Sequence, residues 1–138
     1  MQETISEILK NLNITKEELA LLVNTSVEVI DNLEKRCCHA PLDPIARRLY
    51  ALERVADLFQ IFLEGEDISS EDMLTILKTS KVKIDIENHE EEETEKYYSL
   101  TLIELINLDP INNYWFPLTE LAITNYVGEK QVKKEELN

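Results

Sequence analysis

The sequence predicts a mainly α fold, in which five helices within residues 1–80 precede a smaller part with a β-hairpin. Three observations lead to this prediction. Residues suited to helix caps stand before apolar positions at helical spacing in residues 1–80. Apolar and charged side chains alternate in residues 81–87, KVKIDIE, and residues 97–106, YYSLTLIELI, are rich in strand formers. We therefore divide the chain into a helical domain, residues 1–80, and a C-terminal hairpin and helix part, residues 81–138, that could serve dimerisation or partner binding.

The first predicted helix is short and amphipathic. It is expected from Ile5 to Leu12, with Thr4 as its cap and Glu7 three residues later at the position of a capping box. Its buried face would consist of Ile5, Ile8, Leu9 and Leu12.

Residues 15–36 predict two short helices joined by a tight turn, the arrangement of a helix-turn-helix. Thr15 caps the first helix, and Thr25 or Ser26 caps the second. Asn24 stands in the turn, where the backbone calls for a residue that tolerates the left-handed conformation. The inward set is Leu19, Ala20, Val23, Ile30 and Leu33.

The longest predicted helix covers residues 44–64 and starts with Asp43 as its cap and a proline at its first position. Its last two turns are apolar nearly all round, so the helix is either central or at an interface. A fifth helix is expected to start after Ser69 or Ser70 and to run to about Lys78.

The alternating stretch 81–87 predicts a half-buried strand with Val82, Ile84 and Ile86 inward. Residues 97–106 could pair with it as the second strand of a hairpin, but a helix from about Ser99 to Leu108 fits the same residues. The acidic run Glu90–Glu95 between them is expected to form a solvated loop.

The last part of the chain is expected to be aromatic and then helical. A final helix is predicted from Leu118 to about Tyr126, ended by Gly128 and followed by a frayed charged tail. The aromatic residues before it either cover the core or present a partner-binding surface: Tyr114, Trp115 and Phe116.

Composition limits the class of protein. No apolar run is long enough for a membrane span, and the N-terminus lacks the order of a signal peptide, so we expect a soluble cytoplasmic protein. Cys37 and Cys38 cannot supply a disulfide framework, and with His39 they lack a second ligand group for a metal site, since His89 is about fifty residues away. No catalytic constellation and no phosphate-binding glycine loop is present, so neither an enzyme nor a cofactor is expected.

The spacing of four residues resembles that of the helix-turn-helix of the Xre/Cro-like repressor family: Ala20, Asn24, Ile30 and Leu33. The turn residue of that family is usually Gly, and Asn24 stands at this position here. The resemblance implies double-stranded operator DNA as the partner and a recognition helix that begins near Thr25. By analogy with the family, the residues that would face a major groove are Thr25, Ser26, Val27, Glu28, Asp31, Asn32 and Lys35.

The charge of the chain opposes nucleic-acid binding. Its formal net charge is −14, and residues 1–80 and 81–138 each contribute −7. Screening makes local charge matter more than the total. The one basic window consists of Lys35, Arg36, Arg47, Arg48 and Arg54. We expect the first four of these residues to contact phosphates.

A second, shorter resemblance lies near the C-terminus. The segment Pro117–Leu121, PLTEL, and the downstream Gly128 look like the Pro-Leu-x-x-Leu segment of the Xre/MbcA/ParS antitoxin superfamily. The chain departs from that pattern in the predicted hairpin and acidic run. The family would imply a small dimeric protein that neutralises a partner toxin and represses its own operon.

Two hypotheses follow. The first is a homodimeric helix-turn-helix DNA-binding transcriptional regulator, which could be the antitoxin of a toxin–antitoxin pair. The second is an acidic protein-interaction module, an adaptor or antitoxin-like inhibitor, in which the helix pair is only scaffold. The apolar surplus on residues 58–63 and at Tyr114–Phe116 suggests a dimer surface.

Overall fold

The computed structural model describes residues 1–35, 43–65, 68–85, 97–111 and 114–136 of the chain. Within these ranges the protein has seven helices and one two-stranded antiparallel sheet, which confirms the mainly α prediction with a small β part. The elements are α1 (Gln2–Leu12), α2 (Lys16–Leu22), α3 (Val27–Lys35), α4 (Pro44–Phe62), α5 (Ser70–Thr79), β1 (Lys81–Asp85), β2 (Tyr97–Thr101), α6 (Leu102–Leu108) and α7 (Trp115–Glu136).

α1 begins three residues before its predicted start. Met1 is the N-cap, and its carbonyl accepts from the Ile5 amide at 3.0 Å, so the predicted Thr4 cap is wrong. Thr4 lies inside the helix because the backbone alone extends the first turn, and an apolar pattern locates a buried face rather than a terminus. The helix ends at Asn13, which has a left-handed backbone with φ 53°. Ile5, Ile8 and Leu12 are buried as predicted, while Leu9 is half-buried.

α4 is the central helix and packs against α1 on one side and α7 on another. The Asp43 carboxylate accepts from the amides of Ile45 and Ala46 at 2.9 and 3.3 Å, which confirms the predicted cap. The apolar end of α4 is mostly core: Leu58, Phe59 and Leu63 are buried, and Ile61 is exposed. Residues 58–63 therefore offer much less free apolar surface to a dimer than the sequence suggests.

The hairpin prediction is confirmed, with Lys81 opposite Thr101 and Asp85 opposite Tyr97. Both interpretations of residues 97–108 hold in part, because β2 passes directly into α6 at Thr101. The Thr101 hydroxyl accepts from the Glu104 amide at 3.2 Å, and the Glu104 carboxylate accepts from the Thr101 amide at 3.2 Å. This capping box ends the strand and starts the helix. Val82 is buried as expected, and the acidic run Glu90–Glu95 lies outside the described residues.

α7 is much longer than the predicted helix over residues 118–126. It starts at Trp115, since Pro117 then falls in the first turn, where a missing amide hydrogen costs no intrahelical bond. Gly128 lies inside the helix, and among the described glycines only Gly65 has a positive φ, so Gly128 does not end the helix as predicted. A glycine lowers helix stability by about 1 kcal/mol without terminating the helix by itself.

A hydrogen bond ties α7 to α5. The Tyr126 hydroxyl donates to Asp72 Oδ1 at 2.7 Å, and this bond raises the pKa of the phenol above its usual value. The other carboxylate oxygen, Asp72 Oδ2, accepts from the Ser69 amide at 3.2 Å in the capping box that begins α5. One carboxylate thus connects the start of α5 to α7.

One continuous hydrophobic core includes residues from both sides of position 80. Residues from the C-terminal part are as deeply buried as those of the first five helices. The large members from the C-terminal part are Val82, Leu102, Leu105, Ile106, Trp115 and Ile123. Within the described ranges, no helix combines the length and the apolar content that crossing a bilayer would require.

Candidate nucleic-acid interface

The predicted pair of helices is present as α2 and α3, joined by a turn at Asn24. Asn24 has a φ of 57°, the left-handed conformation expected there. The Thr25 amide donates to the Ala20 carbonyl at 2.8 Å, and the Asn24 amide donates to the Leu21 carbonyl at 3.2 Å. This pair of bonds is the Schellman motif, with Asn in place of the usual glycine. All five predicted inward residues are buried: Leu19, Ala20, Val23, Ile30 and Leu33.

The sequence predicted a single cap residue for the first of the two helices and left two candidates for the second. The Thr15 hydroxyl accepts from the Glu18 amide at 3.2 Å, as predicted. For α3 the cap is Ser26, whose hydroxyl accepts from the Val29 amide at 3.4 Å, and this selects Ser26 over Thr25. Ser26 therefore stands at the exposed N-terminal end of α3.

The outer face of α3 is polar and reaches solvent. Of the residues predicted to face a major groove, Ser26, Glu28, Asn32 and Lys35 are exposed, whereas Thr25, Val27 and Asp31 are half-buried. Val27 packs against the hydrophobic core. α3 therefore presents four of the seven residues freely, while Val27 serves mainly to anchor the helix.

Lys16 joins α2 to α3 through two ion pairs. Its Nζ lies 3.1 Å from Asp31 Oδ1 and 2.9 Å from Glu34 Oε2. The Glu34 and Asp31 carboxylates raise the pKa of the Lys16 ammonium. The charge of Asp31, which would repel a duplex, is thus offset by a neighbouring cation. The same ion pairs engage Lys16 within the protein.

The described residues of the predicted basic window differ in their surroundings. Arg48 turns towards the helix pair, where its Nη1 donates to the Val23 carbonyl at 3.0 Å. Arg47 and Arg54 line a separate small cleft of about 280 Å³ beside Tyr50 and Trp115. Arg48 remains a predicted phosphate contact, although one of its guanidinium nitrogens donates to the Val23 carbonyl. Arg36, Cys37, Cys38, His39 and His89 lie outside the described residues.

The C-terminal end of α2 is fully satisfied by hydrogen bonds. Beyond the two bonds of the Schellman motif, the Val23 amide donates to the Leu19 carbonyl at 3.1 Å. The next carbonyl, of Leu22, accepts from Asn107 Nδ2 at 2.9 Å, and that of Val23 accepts from Arg48. Carbonyls at a helix end have no partner within the helix. Side chains from α6 and α4 supply the missing donors here.

A groove of about 630 Å³ adjoins this end of α2. α2, α5, β2 and α6 form its walls, and Asn107 lies in it, also donating to the Ile103 carbonyl at 2.9 Å. Its apolar lining consists of Leu21, Leu22, Leu100, Ile103 and Leu108. Its polar lining consists of Glu18, Asn24, Lys78, Glu104 and Asn107. We call this feature the α2–α6 groove.

The three aromatic residues predicted to bind a partner are separated by the fold. Trp115 is 2% exposed and belongs to the core, so its place in a contact surface needs correction. Tyr114 and Phe116 are 65% and 54% exposed. The Phe116 ring meets that of Phe62 edge to face, with centroids 4.9 Å apart. Trp115 is the first residue of α7, and packing that helix onto α4 buries the indole.

Sequence reasoning missed Lys16, Asn107 and the α2–α6 groove. For the groove a signal was present: residues 19–23 read LALLV, and a helix packed on one side cannot bury five consecutive apolar residues. Leu21 is the residue left outside, at 80% exposure. For Lys16 and Asn107 the partners lie 15 and 85 positions away, so no local pattern could identify them.

The chain matches no family model, no curated protein and no solved structure.

Proposed function

We propose that the protein is a helix-turn-helix DNA-binding transcriptional regulator that acts in the cytoplasm as a homodimer, with α3 in the major groove of an operator. The observation that carries this proposal is the presentation of α3. Its inward residues are buried, its N-terminal end is capped by Ser26, and its outer face is polar and exposed. A recognition helix needs this combination of a fixed backbone and free polar side chains.

The exposed residues of α3 have chemistry suited to base edges. An asparagine such as Asn32 can bond an adenine in a bidentate manner, and a glutamate such as Glu28 can accept from the amino group of cytosine. Ser26 and Lys35 could reach phosphates at the two ends of the helix. The ion pairs of Lys16 lessen the repulsion that Asp31 and Glu34 would exert on the duplex.

The electrostatic part of binding is expected to be small. Lys35, Arg36 and Arg47 are the candidates for phosphate contacts that we count near the motif. Each neutralised phosphate contributes about −0.9 to the slope of log K against log salt. We therefore expect a shallow slope, of about −3 for each protomer.

Selection from a duplex library with a randomised centre tests the proposal. The purified protein should enrich one motif, and fluorescence anisotropy with the enriched duplex should give specific binding. Asn32→Ala should weaken this binding by about 1–3 kcal/mol and relax the preference at one base pair. Asn125→Ala, an exposed position on α7, is the matched control and should change nothing.

A second pair of variants separates base reading from charge. Lys35→Ala should weaken binding equally on all duplexes and lower the salt slope by about 1. The control Lys10→Ala removes one exposed cation from α1 and should leave affinity unchanged. The proposal fails if no motif is enriched and no duplex binds with a Kd below about 10 µM at low salt, the range of non-specific binding.

The second candidate is an acidic protein-interaction module, an adaptor or an antitoxin-like inhibitor of a partner toxin. The observation in its favour is the use of Arg48 and Lys16 within the fold, which leaves the helix pair poor in cations for DNA. Absence of duplex binding together with a stoichiometric protein partner on purification would favour this candidate. A mass measurement in solution tests the dimer in either case.

A further inference from the structure

We propose that the α2–α6 groove is a docking site for an amphipathic helix of another protein, one that carries basic side chains beside its apolar stripe. The inference does not depend on DNA binding by α3. It assigns a separate surface and a chemical class of partner to it.

The first argument is the exposure of apolar side chains at the groove. Leu21 is 80% exposed and Leu108 is 72% exposed, and both line the same groove. Burying apolar side chains of this kind against a partner is favourable. A pocket for a small molecule is a concave site that encloses most of the surface of its ligand. Here the lining stands out into solvent, which suits a partner that brings an apolar surface of its own.

The second argument is the shape and stiffness of the floor. Asn107 donates to the Leu22 carbonyl of α2 and to the Ile103 carbonyl of α6, both at 2.9 Å. The two helices that bear Leu21 and Leu108 are therefore held at a fixed separation. A groove of about 630 Å³ between helices accommodates the apolar stripe of an inserted helix, read at i, i+3, i+4 and i+7.

The third argument is charge, and it decides the kind of helix. Glu18 on α2 and Glu104 on α6 line the groove from two of its walls, and both are exposed. The whole chain carries a net charge of −14. Basic residues that flank an apolar stripe would meet a carboxylate on each side. Lys78 is the single cation in the lining, and it would favour one direction of the inserted helix over the other.

The test uses the full chain and two synthetic peptides of about 16 residues, roughly four helical turns. One has leucine at i, i+3, i+4 and i+7 with lysine on the flanks, and the other has glutamate in place of every lysine. Fluorescence anisotropy measures affinity at about 150 mM salt, where distant surface charges are screened. Amide chemical shifts of the labelled protein locate the peptide.

We expect the basic peptide to bind with a Kd on the order of 10–100 µM and the acidic peptide to bind at least about tenfold more weakly. The shift changes should fall on α2 and α6. Leu21→Asn combined with Leu108→Asn should weaken the basic peptide by about tenfold or more. Ile61→Asn, at a position that is 62% exposed on α4 and outside the groove, is the matched control and should bind like the parent.

A second pair of substitutions tests the charge without altering the apolar surface. Glu18→Gln combined with Glu104→Gln keeps hydrogen-bond acceptors at both caps and should weaken the basic peptide by several-fold. The proposal is overturned if the two peptides bind equally, if Ile61→Asn weakens binding as much as the leucine pair, or if no binding is detected near 1 mM. It is also overturned if the chain self-associates and the leucine pair abolishes that association, because a second copy would then occupy the groove.

Discussion

Arg48 and Asn107 perform the same task from different helices. Each donates to a carbonyl at the C-terminal end of α2 that the helix itself cannot satisfy: Arg48 to Val23 at 3.0 Å, and Asn107 to Leu22 at 2.9 Å. A partly buried carbonyl that loses its donor keeps most of the cost of its desolvation. We therefore expect each of these two side chains to stabilise the folded protein through its hydrogen bond.

Replacing Arg48 by methionine should destabilise the protein by about 1–2 kcal/mol, because the Val23 carbonyl would lose its charged donor. Urea unfolding followed by circular dichroism measures the change. The matched control is Arg54→Met on the same helix, where the side chain is exposed and the expected change is within about 0.5 kcal/mol. Equal effects of the two substitutions would show that the bond to Val23 contributes nothing of its own. Loss of DNA binding on substitution of Arg48 would therefore have to be separated from loss of folding.

Lys16 shows how charge is distributed around the motif. Two carboxylates raise its pKa above a value that is already basic, so the ammonium stays charged throughout the physiological range. The stability that the pairing contributes is present below the usual pKa of lysine and is lost only as pH rises through the folded-state pKa. The partial offset of the Asp31 and Glu34 charges by Lys16 is thus constant across the physiological pH range.

Capping residues were the part of the site that sequence could predict. Thr15 and Asp43 cap their helices as expected, and Ser69 rather than Ser70 caps α5, because a cap acts on amides only two or three positions away. The predicted Thr4 cap was wrong. The partners of Lys16, Arg48 and Asn107 are determined by how the helices pack, and local sequence patterns do not predict that packing. The separation of Trp115 from Tyr114 and Phe116 has the same origin.

At the scale of elements, the two described glycines differ in backbone conformation: Gly65 has a positive φ, and Gly128 is helical. Gly65 follows α4 with a φ of +83°, a region that side chains with a Cβ rarely adopt. Gly128 lies within α7, and a Cβ built on it would meet no atom within 4 Å. Gly128 was expected to end a helix but lies inside α7, whereas Gly65 lies in the turn that follows α4.

Substituting each glycine by alanine should therefore have effects of opposite sign. Gly128→Ala should stabilise the protein by about 0.5–1 kcal/mol, because alanine is the better helix former and the site has room. Gly65→Ala should destabilise it by about 1 kcal/mol through strain at positive φ. Thermal unfolding of the two variants measures both shifts. Destabilisation by Gly128→Ala would mean that α7 ends near residue 128 after all.

Element type was easier to predict than element boundaries. Apolar periodicity located α1, α4 and α5 and the alternation located β1, since these patterns extend over several turns or pleats. The junction at Thr101 was left open between strand and helix because both are present within the same ten residues. The sequence T-L-I-E at 101–104 is a capping box, and it held the information that would have placed the boundary.

On the scale of the whole molecule, the helix-turn-helix shares one hydrophobic core with the C-terminal part. Trp115, Leu102 and Ile106 belong to the same buried cluster as Phe59 of α4. Asn107 in addition bonds to α2 across 85 positions of sequence. The division of the chain near residue 80 thus marks a change of secondary structure within one shared core.

A fragment that ends at residue 80 should consequently fail to unfold cooperatively. It would expose the surface of α4 and α5 that β2, α6 and α7 cover, and it would leave the Leu22 carbonyl without its donor. Thermal melting monitored by near-ultraviolet circular dichroism tests this, with the full chain as reference. A sharp transition in the fragment would establish residues 1–80 as an independent domain.

The bonds at the end of α2 also bear on how this motif could change over evolution. Backbone bonds set the internal shape of the turn, whereas Arg48 and Asn107 fix how α2 is seated on the body of the protein. The direction in which α3 projects therefore depends in part on two side chains outside the motif, one from α4 and one from α6. Substitutions at these two positions could change the direction of α3 while the exposed residues on its outer face stay the same.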